Sequence, residues 1–421
     1  MREMKDSGIE WIGEIPDNWK ILPVYKLFCE RKNLNRLGRE MNLLSLSYGR
    51  IVRKNIDTKM GLLPANFNTY NVVEKNDIII RPTDLQNDKK SLRTGLVAEH
   101  GIITSAYIAI TPEKGINASY FHYLLHSYDV QKVFYNMGNG VRQGLNYSEF
   151  CKLLLVSPPT SEQQDIADFL DARCSELDAL AADIRSQIDT LKEYKKSLIT
   201  HAVTKGLNPQ AEMKDSGVEW IGAIPEGWKI LPVYKLFRER KNINRLGREM
   251  NLLSLSYGRI IRKNINAKTG LLPANFNTYN VVERNDIIIR PTDLQNDKKS
   301  LRTGLVAEHG IITSAYIAIT PEKGINASYF HYLLHSYDVQ KVFYNMGNGV
   351  RQGLNYSEFC KLLLVCPPAL EQQSIADFLD AKCSELDGLI SAKEQQLAAL
   401  SEYKKSLIYQ YVTGKRQALS K

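Results

Sequence analysis

The sequence has few cysteines, no long apolar run and no complete catalytic motif. Its 421 residues contain six cysteines, none of them spaced as a Cys-x-x-Cys pair, so neither a disulfide framework nor a common zinc motif is indicated. No apolar stretch approaches membrane-spanning length, and Lys5, Asp6 and Glu10 occupy positions where a signal peptide needs apolar residues. These absences predict a cytoplasmic protein with reduced thiols.

Positive charge is in moderate excess. The chain has 55 lysines and arginines against 46 aspartates and glutamates, which gives a net charge of +9. Such an excess favours a polyanionic partner such as nucleic acid, although many equally basic proteins bind none. The length is sufficient for two hydrophobic cores.

The most informative feature that is present is an internal repeat. The segment from Met4 to Thr204 aligns without a gap on the segment from Met213 to Thr413, and about 30 of about 200 aligned residues differ. Solenoid repeats are only about 20 to 50 residues long, so each copy here is domain-sized. Two like domains predict two like targets.

The differences between the copies are unevenly distributed. Residues 76–156 and 285–365 are identical, whereas most substitutions fall in the segments that follow, 157–204 and 366–413. The identical block is consistent with a shared recognition surface, and equally with a recent duplication or recombination. Both alternatives give two copies of one surface.

Each copy is predicted to contain an α/β or α+β globular domain followed by a long helix. Strand-like stretches cover residues 76–81 and 102–110, and a helix is expected from Ala118 to Asn136. The predicted segments are a first globular domain at 1–157, a spacer helix at 158–204, a linker at 205–212, a second globular domain at 213–366, a second spacer helix at 367–413 and a tail at 414–421.

The long helix of each copy carries the heptad pattern of a coiled-coil seam. The first helix opens after Pro158-Pro159, with Ser161 and Gln164 as a capping box, and continues to about Val203. In the second copy Lys393 interrupts the apolar stripe. The seam residues are Leu170, Leu177, Ile184, Leu191, Leu198, Leu379, Leu386, Leu400 and Leu407.

A helix of about 40 residues is about 60 Å long at 1.5 Å per residue, which is too long for one small domain to cover. The two long helices are therefore expected to pack together as an antiparallel pair, with a pseudo-twofold axis relating the two domains. The alternative is that each helix packs on its own domain.

Several partial catalytic motifs are present, and none is complete. Asp84 and Asp88 are too close in sequence for the hairpin that presents nuclease carboxylates to a metal, so a solvated loop is the preferred interpretation. His122 and His126 have the i, i+4 spacing of helical zinc sites but lack the intervening glutamate and a third ligand. The loop that opens with Ser157 lacks the aromatic residue with which similar methyltransferase loops stack on a base. The chain is therefore predicted to contain no catalytic residue and no metal site.

Side chains suited to DNA recognition lie within the identical block and just before it. Arginine, lysine, asparagine and glutamine read base edges or hold phosphates, and the glycines of residues 138–144 allow close backbone approach. The candidate DNA-binding residues are Tyr48, Arg50, Arg53, Lys54, Arg81, Lys89, Lys90, Arg93, Asn139, Arg142 and Gln143, with Tyr257, Arg259, Arg262, Lys263, Arg290, Lys298, Lys299, Arg302, Asn348, Arg351 and Gln352 in the second copy.

The whole chain resembles the specificity subunit of a type I restriction-modification system. Each repeat opens with a Gly-x-Ile-Pro motif and a tryptophan, Trp19 or Trp228, and each long helix opens with Pro-Pro-x-x-Glu-Gln-Gln followed by Ile-Ala-x-Phe-Leu-Asp. These paired motifs occur twice in the same order. The resemblance covers nearly all 421 residues.

The resemblance implies two target-recognition domains that bind double-stranded DNA and are separated by an antiparallel helix pair. In that family the subunit is not an enzyme: it docks two methyltransferase subunits and recruits restriction and translocase subunits. It implies no cofactor in this chain, with S-adenosylmethionine and ATP expected in the partners. Recognition domains of the family vary greatly, so no individual base contact carries over.

This chain departs from the family pattern because its two recognition domains are nearly identical. Both should prefer one half-site, and an antiparallel helix pair would make the DNA site an interrupted palindrome. Two other functions are kept open: an autonomous DNA-modifying enzyme, and a protein scaffold that reads no sequence.

Overall fold

The chain folds into two compact units. The computed structural model describes residues 2–57, 64, 66–85, 88, 92–137, 144–265, 273, 275–292, 294, 301–346 and 353–418. Unit 1 comprises Met1–Arg185 and Gln395–Lys421, and unit 2 comprises Ser186–Glu394. Each unit therefore contains one globular domain and a part of each long helix.

The globular part of unit 1 is built mainly of short antiparallel strands. These are β1 (Met4–Asp6), β2 (Glu14–Pro16), β3 (Lys20–Pro23), β4 (Phe28–Glu30), β5 (Leu44–Ser47), β6 (Arg50–Arg53), β7 (Asn71–Val73), β8 (Ile78–Ile80), β9 (Thr94–Leu96), β10 (Gly101–Ile103), β11 (Ile108–Pro112) and β12 (Leu154–Ser157). Four of them form a sheet in the order β4-β11-β8-β9. Its two central strands, β11 and β8, pair Ala109 with Ile79, and both residues are buried.

Unit 1 also contains helices that pack against these strands. They are α1 (Ala118–Val130), α2 (Tyr147–Phe150) and the first part of α3 (Thr160–Lys205), with 3-10 turns at Val24–Lys26 and Val133–Asn136. Asn117 caps α1 by accepting a hydrogen bond from the backbone N–H of Tyr120. Leu124 and Leu125 of α1 are fully buried in the core of the unit.

Unit 2 repeats this order of elements. Its strands are β13 (Met213–Asp215), β14 (Ala223–Pro225), β15 (Lys229–Pro232), β16 (Phe237–Glu239), β17 (Leu253–Ser256), β18 (Arg259–Arg262), β19 (Asn280–Val282), β20 (Ile287–Ile289), β21 (Thr303–Leu305), β22 (Gly310–Ile312), β23 (Ile317–Pro321) and β24 (Leu363–Cys366). Its helices are α4 (Val233–Leu236), α5 (Ala327–Val339), α6 (Tyr356–Phe359) and the first part of α7 (Ala369–Val412), with a 3-10 turn at Val342–Asn345.

Three predicted elements need correction. The strand predicted at 102–110 is two strands, β10 and β11, because a turn in which the N–H of Tyr107 bonds to the carbonyl of Thr104 separates them. The strand predicted at 76–81 is limited to β8. The helix predicted to Asn136 ends at Val130, because Lys132 adopts a left-handed conformation with φ 62°.

The two long helices are continuous, as the heptad pattern predicted, but the predicted capping box is wrong. α3 begins at Thr160, one residue before Ser161. The start of the helix is fastened by Gln163, whose Nε2 donates to the carbonyl of Pro158 at 2.9 Å. Gln164 instead bonds outward to Asn117 and Asp168.

Both long helices contribute to the core of each unit. In unit 1 the core around Trp19 contains Leu170 from the start of α3 and Val412 from the end of α7. In unit 2 the core around Trp228 contains residues from the start of α7 and the end of α3, among them Leu379 and Val203. The first globular domain is therefore completed by the end of α7, which is distant in sequence, whereas the second is completed by the end of α3 directly before it and the start of α7 directly after it.

Within each unit the two helix segments run antiparallel. In unit 1 the ring of Phe169 stacks on Tyr411 at 4.4 Å, and Asp178 accepts a hydrogen bond from Lys404 at 2.6 Å. In unit 2 Asp387 accepts a hydrogen bond from Lys195 at 2.7 Å, and Lys393 bonds to Gln187. In each unit, residue numbers increase along one helix as they decrease along the other, which is the antiparallel arrangement.

The described part of the chain contains no helix both long and apolar enough to cross a membrane.

Candidate nucleic-acid interface

The hairpin of β5 and β6 carries several exposed side chains of the predicted DNA-binding set. Tyr48 stands in its turn with about 80% of its surface exposed. Tyr48 and Gly49 have φ values of 46° and 80°, the left-handed pair typical of two-residue hairpin turns. Tyr257 occupies the same place in unit 2, with 78% exposed. The turn therefore presents an aromatic ring to the surroundings in both units.

Arg50 and Arg259, at the ends of these turns, fasten the hairpin to the helices. In unit 1 Arg50 donates to Asp178 of α3 at 2.6 Å, and the same carboxylate accepts from Lys404 of α7. In unit 2 Arg259 donates to Asp387 at 3.2 Å. One carboxylate thus joins the globular domain to both helix segments of its unit. DNA contact by these arginines stays a prediction.

Arg53 and Arg262 lie on the same hairpins and are paired with glutamates. Arg53 Nε donates to Glu99 at 2.7 Å, and its guanidinium lowers the pKa of the Glu99 carboxyl through this hydrogen bond. Arg262 makes the equivalent pair with Glu308. Lys54 and Lys263 follow these strands and are exposed. The exposed lysines are the side chains of this group most available to a phosphate.

Arg93 and Arg302 are corrected from DNA-binding to structural residues. Both are fully buried, with 0% of their surface exposed. Arg93 donates to the carbonyls of Thr83 at 2.6 Å, Asp84 at 2.9 Å and Asp88 at 2.7 Å. A guanidinium committed to backbone carbonyls in the core cannot reach DNA.

The remaining predicted residues divide into a paired group and an undescribed group. Arg81 is partly buried and forms an ion pair with Asp88. Because this carboxylate neutralises an arginine, the ion pair gives no support to a nuclease-like metal site in the loop. Arg290 is the half-buried equivalent of Arg81 in unit 2. The predicted contacts that lie outside the described residues are Lys89, Lys90, Asn139, Arg142, Gln143, Lys298, Lys299, Asn348, Arg351 and Gln352.

The histidine pair of α1 lies in a groove between the hairpin, α3 and α7 of unit 1. This groove has a volume of about 830 Å³ and is lined by His122, His126, Cys174 and Lys404, among others. Burial lowers the pKa of His122 to about 4 and that of His126 to about 3. Among the described residues, histidines, cysteines and carboxylates form no group of three or more placed to hold a metal ion.

The sequence reading missed a basic segment that lies before the identical block. Residues 31–39 contain four cations in nine positions, a density that could have drawn attention to them. In unit 1 this segment borders a cavity of about 480 Å³ that also contains Asn71, Tyr107 and Tyr147. Arg36 and Arg39 are exposed on the segment. The candidate interface therefore extends beyond the predicted residues.

Solved structures show the same architecture. A chain from a study of complex assembly and conformational transition of the type I restriction-modification system matches with a TM-score of 0.68 at 13% identity, covering 96% of this chain and 99% of that chain. The HsdS subunit of Thermoanaerobacter tengcongensis matches with a TM-score of 0.50 at 12% identity, covering 96% and 98%. The fold, with its mixed helix and strand content, is that of HsdS subunits.

A relative extends this likeness to the sequence. The protein named as the MjaX specificity subunit of a type I restriction enzyme, from Methanocaldococcus jannaschii, is 24% identical over 434 residues, covering 96% of this chain and 95% of the relative. No family model matches the chain. The resemblance to type I specificity subunits that the paired motifs indicated is confirmed.

Proposed function

We propose that this chain is the DNA sequence-recognition subunit of a type I restriction-modification complex. The observation that carries the proposal is the similarity to a named specificity subunit over nearly the full length of both proteins. The net charge of +9 suits a nucleic-acid partner. In this proposal the chain itself catalyses no reaction.

The proposed target is a bipartite site in the form of an interrupted palindrome. The identical blocks at residues 76–156 and 285–365 support a single half-site that is read twice. The antiparallel helix segments within each unit support reading in opposite orientations. Symmetric proteins mirror the symmetry of their DNA sites in this way.

The proposed spacer is an antiparallel coiled coil of the two long helices. Its support is the burial of five of the nine predicted seam residues, among them Ile184 at 8% exposed, Leu386 at 6% and Leu407 at 5%, while the other four are half-buried. The domain boundaries proposed with it are residues 1–157 and 213–366 for the recognition domains and 158–204 and 367–413 for the spacer helices, with a linker at 205–212 and a tail at 414–421. In this arrangement the helices fix the distance between half-sites.

The proposed partners are two methyltransferase subunits and the restriction and translocase subunits. S-adenosylmethionine and ATP would be bound by those partners. The related chain from the study of type I complex assembly supports a role as an assembly component. The two similar units of this chain suit two copies of the same methyltransferase, one for each unit.

Methylome sequencing tests the proposal directly. The chain is expressed with a methyltransferase partner in a host that lacks its own system, and modified positions are mapped genome-wide. The expected result is one interrupted palindrome with a modified base in each half. A host that expresses the methyltransferase alone is the control. Modified sites without inverted halves would contradict the symmetric target, and no added modification would contradict the proposed function.

Competition binding separates sequence recognition from a scaffold that reads no sequence. The purified complex is bound to a duplex that carries the mapped site, and nonspecific DNA is added at moderate salt. Specific binding should persist, because base contacts add free energy to phosphate contacts, which weaken steeply as salt rises. Equal competition by unrelated DNA would support the scaffold.

A further inference from the structure

A cavity in unit 1 has the features of a ligand site and was not among the predicted contacts. It measures about 480 Å³ and is lined by Arg36, Asn71, Tyr107 and Tyr147, together with other residues of the basic segment and of β11. Thirteen of its fourteen lining positions carry the same residue in the second copy, and the exception is Leu34, which is replaced by Ile243 there. Both units therefore contain the same polar and charged side chains for this site.

Asn71 is the first sign that a partner is missing from this cavity. It is 5% exposed, and its backbone is held in β7 by pairing with Ile103 of β10. Its Oδ1 is shut off from solvent without a hydrogen-bond partner among the described residues, and Asn280 Oδ1 in unit 2 shares this state. A buried carboxamide oxygen without a hydrogen-bond donor costs free energy, and native proteins rarely keep one without a reason.

Arg36 is the second sign, because it places an unneutralised charge at the cavity. Its neighbour Arg31 is tied to Asp77 at 2.5 Å, whereas Arg36 is exposed and forms no ion pair with the described residues. The backbone around it is fixed, since Asn35 donates to the carbonyl of Glu40 at 2.9 Å and accepts from its N–H at 3.1 Å. The guanidinium is therefore presented by a rigid turn.

The two groups together define the chemistry of the ligand. A carboxamide offers a donor and an acceptor side by side, which match N7 and the N6 amino group on the major-groove edge of adenine, and a half-turn of the group exchanges the two. An exposed guanidinium matches a phosphate. A nucleotide within a DNA strand provides both features at once.

We propose that the cavity at Asn71, and its copy at Asn280, is a base-contact site of this chain. The carboxamide hydrogen-bonds the edge of one base in each half-site, and Arg36 or Arg245 holds a neighbouring phosphate. This inference rests on the proposed DNA-recognition function and names residues that give it sequence specificity.

The two copies allow a test with an internal control. The full chain in complex with a methyltransferase partner selects duplexes from a randomised library, as wild type, N71A and N280A. We expect N71A to lose about tenfold or more of the preference for one base in one half-site, and N280A to lose it in the other half. The remaining positions of the site should be retained. If wild type selects no site, the proposed function fails; if wild type selects a site and N71A leaves it unchanged, only this inference fails.

R36A and thermal unfolding complete the test. R36A should weaken binding to all sequences alike and reduce the salt dependence by about one charge, and unchanged affinity would remove Arg36 from the site. N71A should unfold at a temperature no lower than wild type, because it breaks no hydrogen bond with the described residues. A clear drop would show that Asn71 is a structural residue and would overturn the proposal.

Discussion

At the scale of single residues, the buried arginine of each domain shows how one side chain organises a loop. Arg93 collects the carbonyls of Thr83, Asp84 and Asp88 and packs on the ring of Tyr135 at 5.0 Å. A buried cation is stable only when its donors are satisfied, and here backbone carbonyls satisfy them. Removing the guanidinium would leave those carbonyls without donors in the core.

We therefore expect R93M to lower the free energy of unfolding by about 3 kcal/mol, the scale of losing hydrogen bonds to a buried charged group. R302M should have the same effect through unit 2. Thermal or denaturant unfolding of the full chain measures the change. The matched control is R53A, whose exposed pair with Glu99 should contribute little to stability because solvent screens it. Equal losses in R93M and R53A would contradict the structural role of Arg93.

Residue type alone could not separate these arginines from a DNA contact. Arg93 and Arg36 have the same chemistry in the sequence, yet Arg93 is fully buried, whereas Arg36 is exposed and lines the same cavity as Asn71, whose Oδ1 has no partner among the described residues. Their difference depends on which chain segments fold over them. The heptad leucines were predictable because their spacing itself encodes which face is covered.

At the scale of elements, helices α1 and α5 carry buried histidines that make stability depend on pH. Burial lowers the pKa of His126 to about 3 and that of His335 to about 4. Nearby groups also lower the pKa of each histidine. For His126 they are His122, Lys404 and Lys405, and for His335 they are His331, Lys195 and Lys196. Both histidines are therefore neutral in the folded chain.

The sign of the effect follows from comparing the folded and unfolded states. Unfolded histidine has a pKa near 6.5, above the folded values, so the stability that these residues contribute is fully present above pH 6.5 and is lost as the pH falls through about 4. The double variant H126Q/H335Q should therefore lose less stability than wild type over this interval. Denaturant unfolding between pH 7.5 and 4 measures the difference.

Other titrating groups do not obscure this comparison. Burial raises the pKa of Asp129 to about 6, and that carboxyl favours folding as the pH falls, but it is present in both wild type and variant and cancels. Parallel pH profiles for the two proteins would contradict the histidine assignment. A difference that appears only above pH 6.5 would do so as well.

The ends of helices and strands were predicted less well than their existence. The apolar run at 102–110 gave no sign that Thr104–Tyr107 would turn, because the turn contains neither glycine nor proline. α1 ends at Val130, two residues before Lys132, which adopts a left-handed conformation that usually selects glycine or asparagine. The long helices were predictable from their period, but α3 begins at Thr160, so Ser161 lies inside the helix. The side chain of Gln163 contacts the start of the helix differently, because its Nε2 donates to the carbonyl of Pro158.

At the scale of the whole molecule, the internal repeat predicted two similar domains. It did not predict which segments of the chain build the core of each domain. Val412 and Leu407 complete the core of the first domain from the far end of the chain. The heptad spacing of the long helix predicts that its apolar face is buried, but it does not identify the surface on which that face packs. Only the folded structure shows that the end of α7 packs on the first globular domain.

The proposed spacer role of the helices makes a geometric prediction. Seven residues inserted after Arg185 and after Glu394 preserve the heptad register and lengthen each helix by about 10 Å at 1.5 Å per residue. Base pairs rise by about 3.4 Å each, so the spacer between half-sites should grow by about three base pairs. The half-site sequences themselves should stay unchanged, because both recognition domains are untouched. Methylome sequencing of the lengthened chain reads both quantities at once.

An insertion of four residues in only one helix is the matched control. It shifts the seam of that helix against its partner, so the chain should lose stability and site-specific modification instead of acquiring a new spacer. A spacer that stays unchanged after the paired seven-residue insertions would show that the helices do not set the distance. A changed half-site would show that the helices contribute to base recognition, since only the helices differ between the two chains.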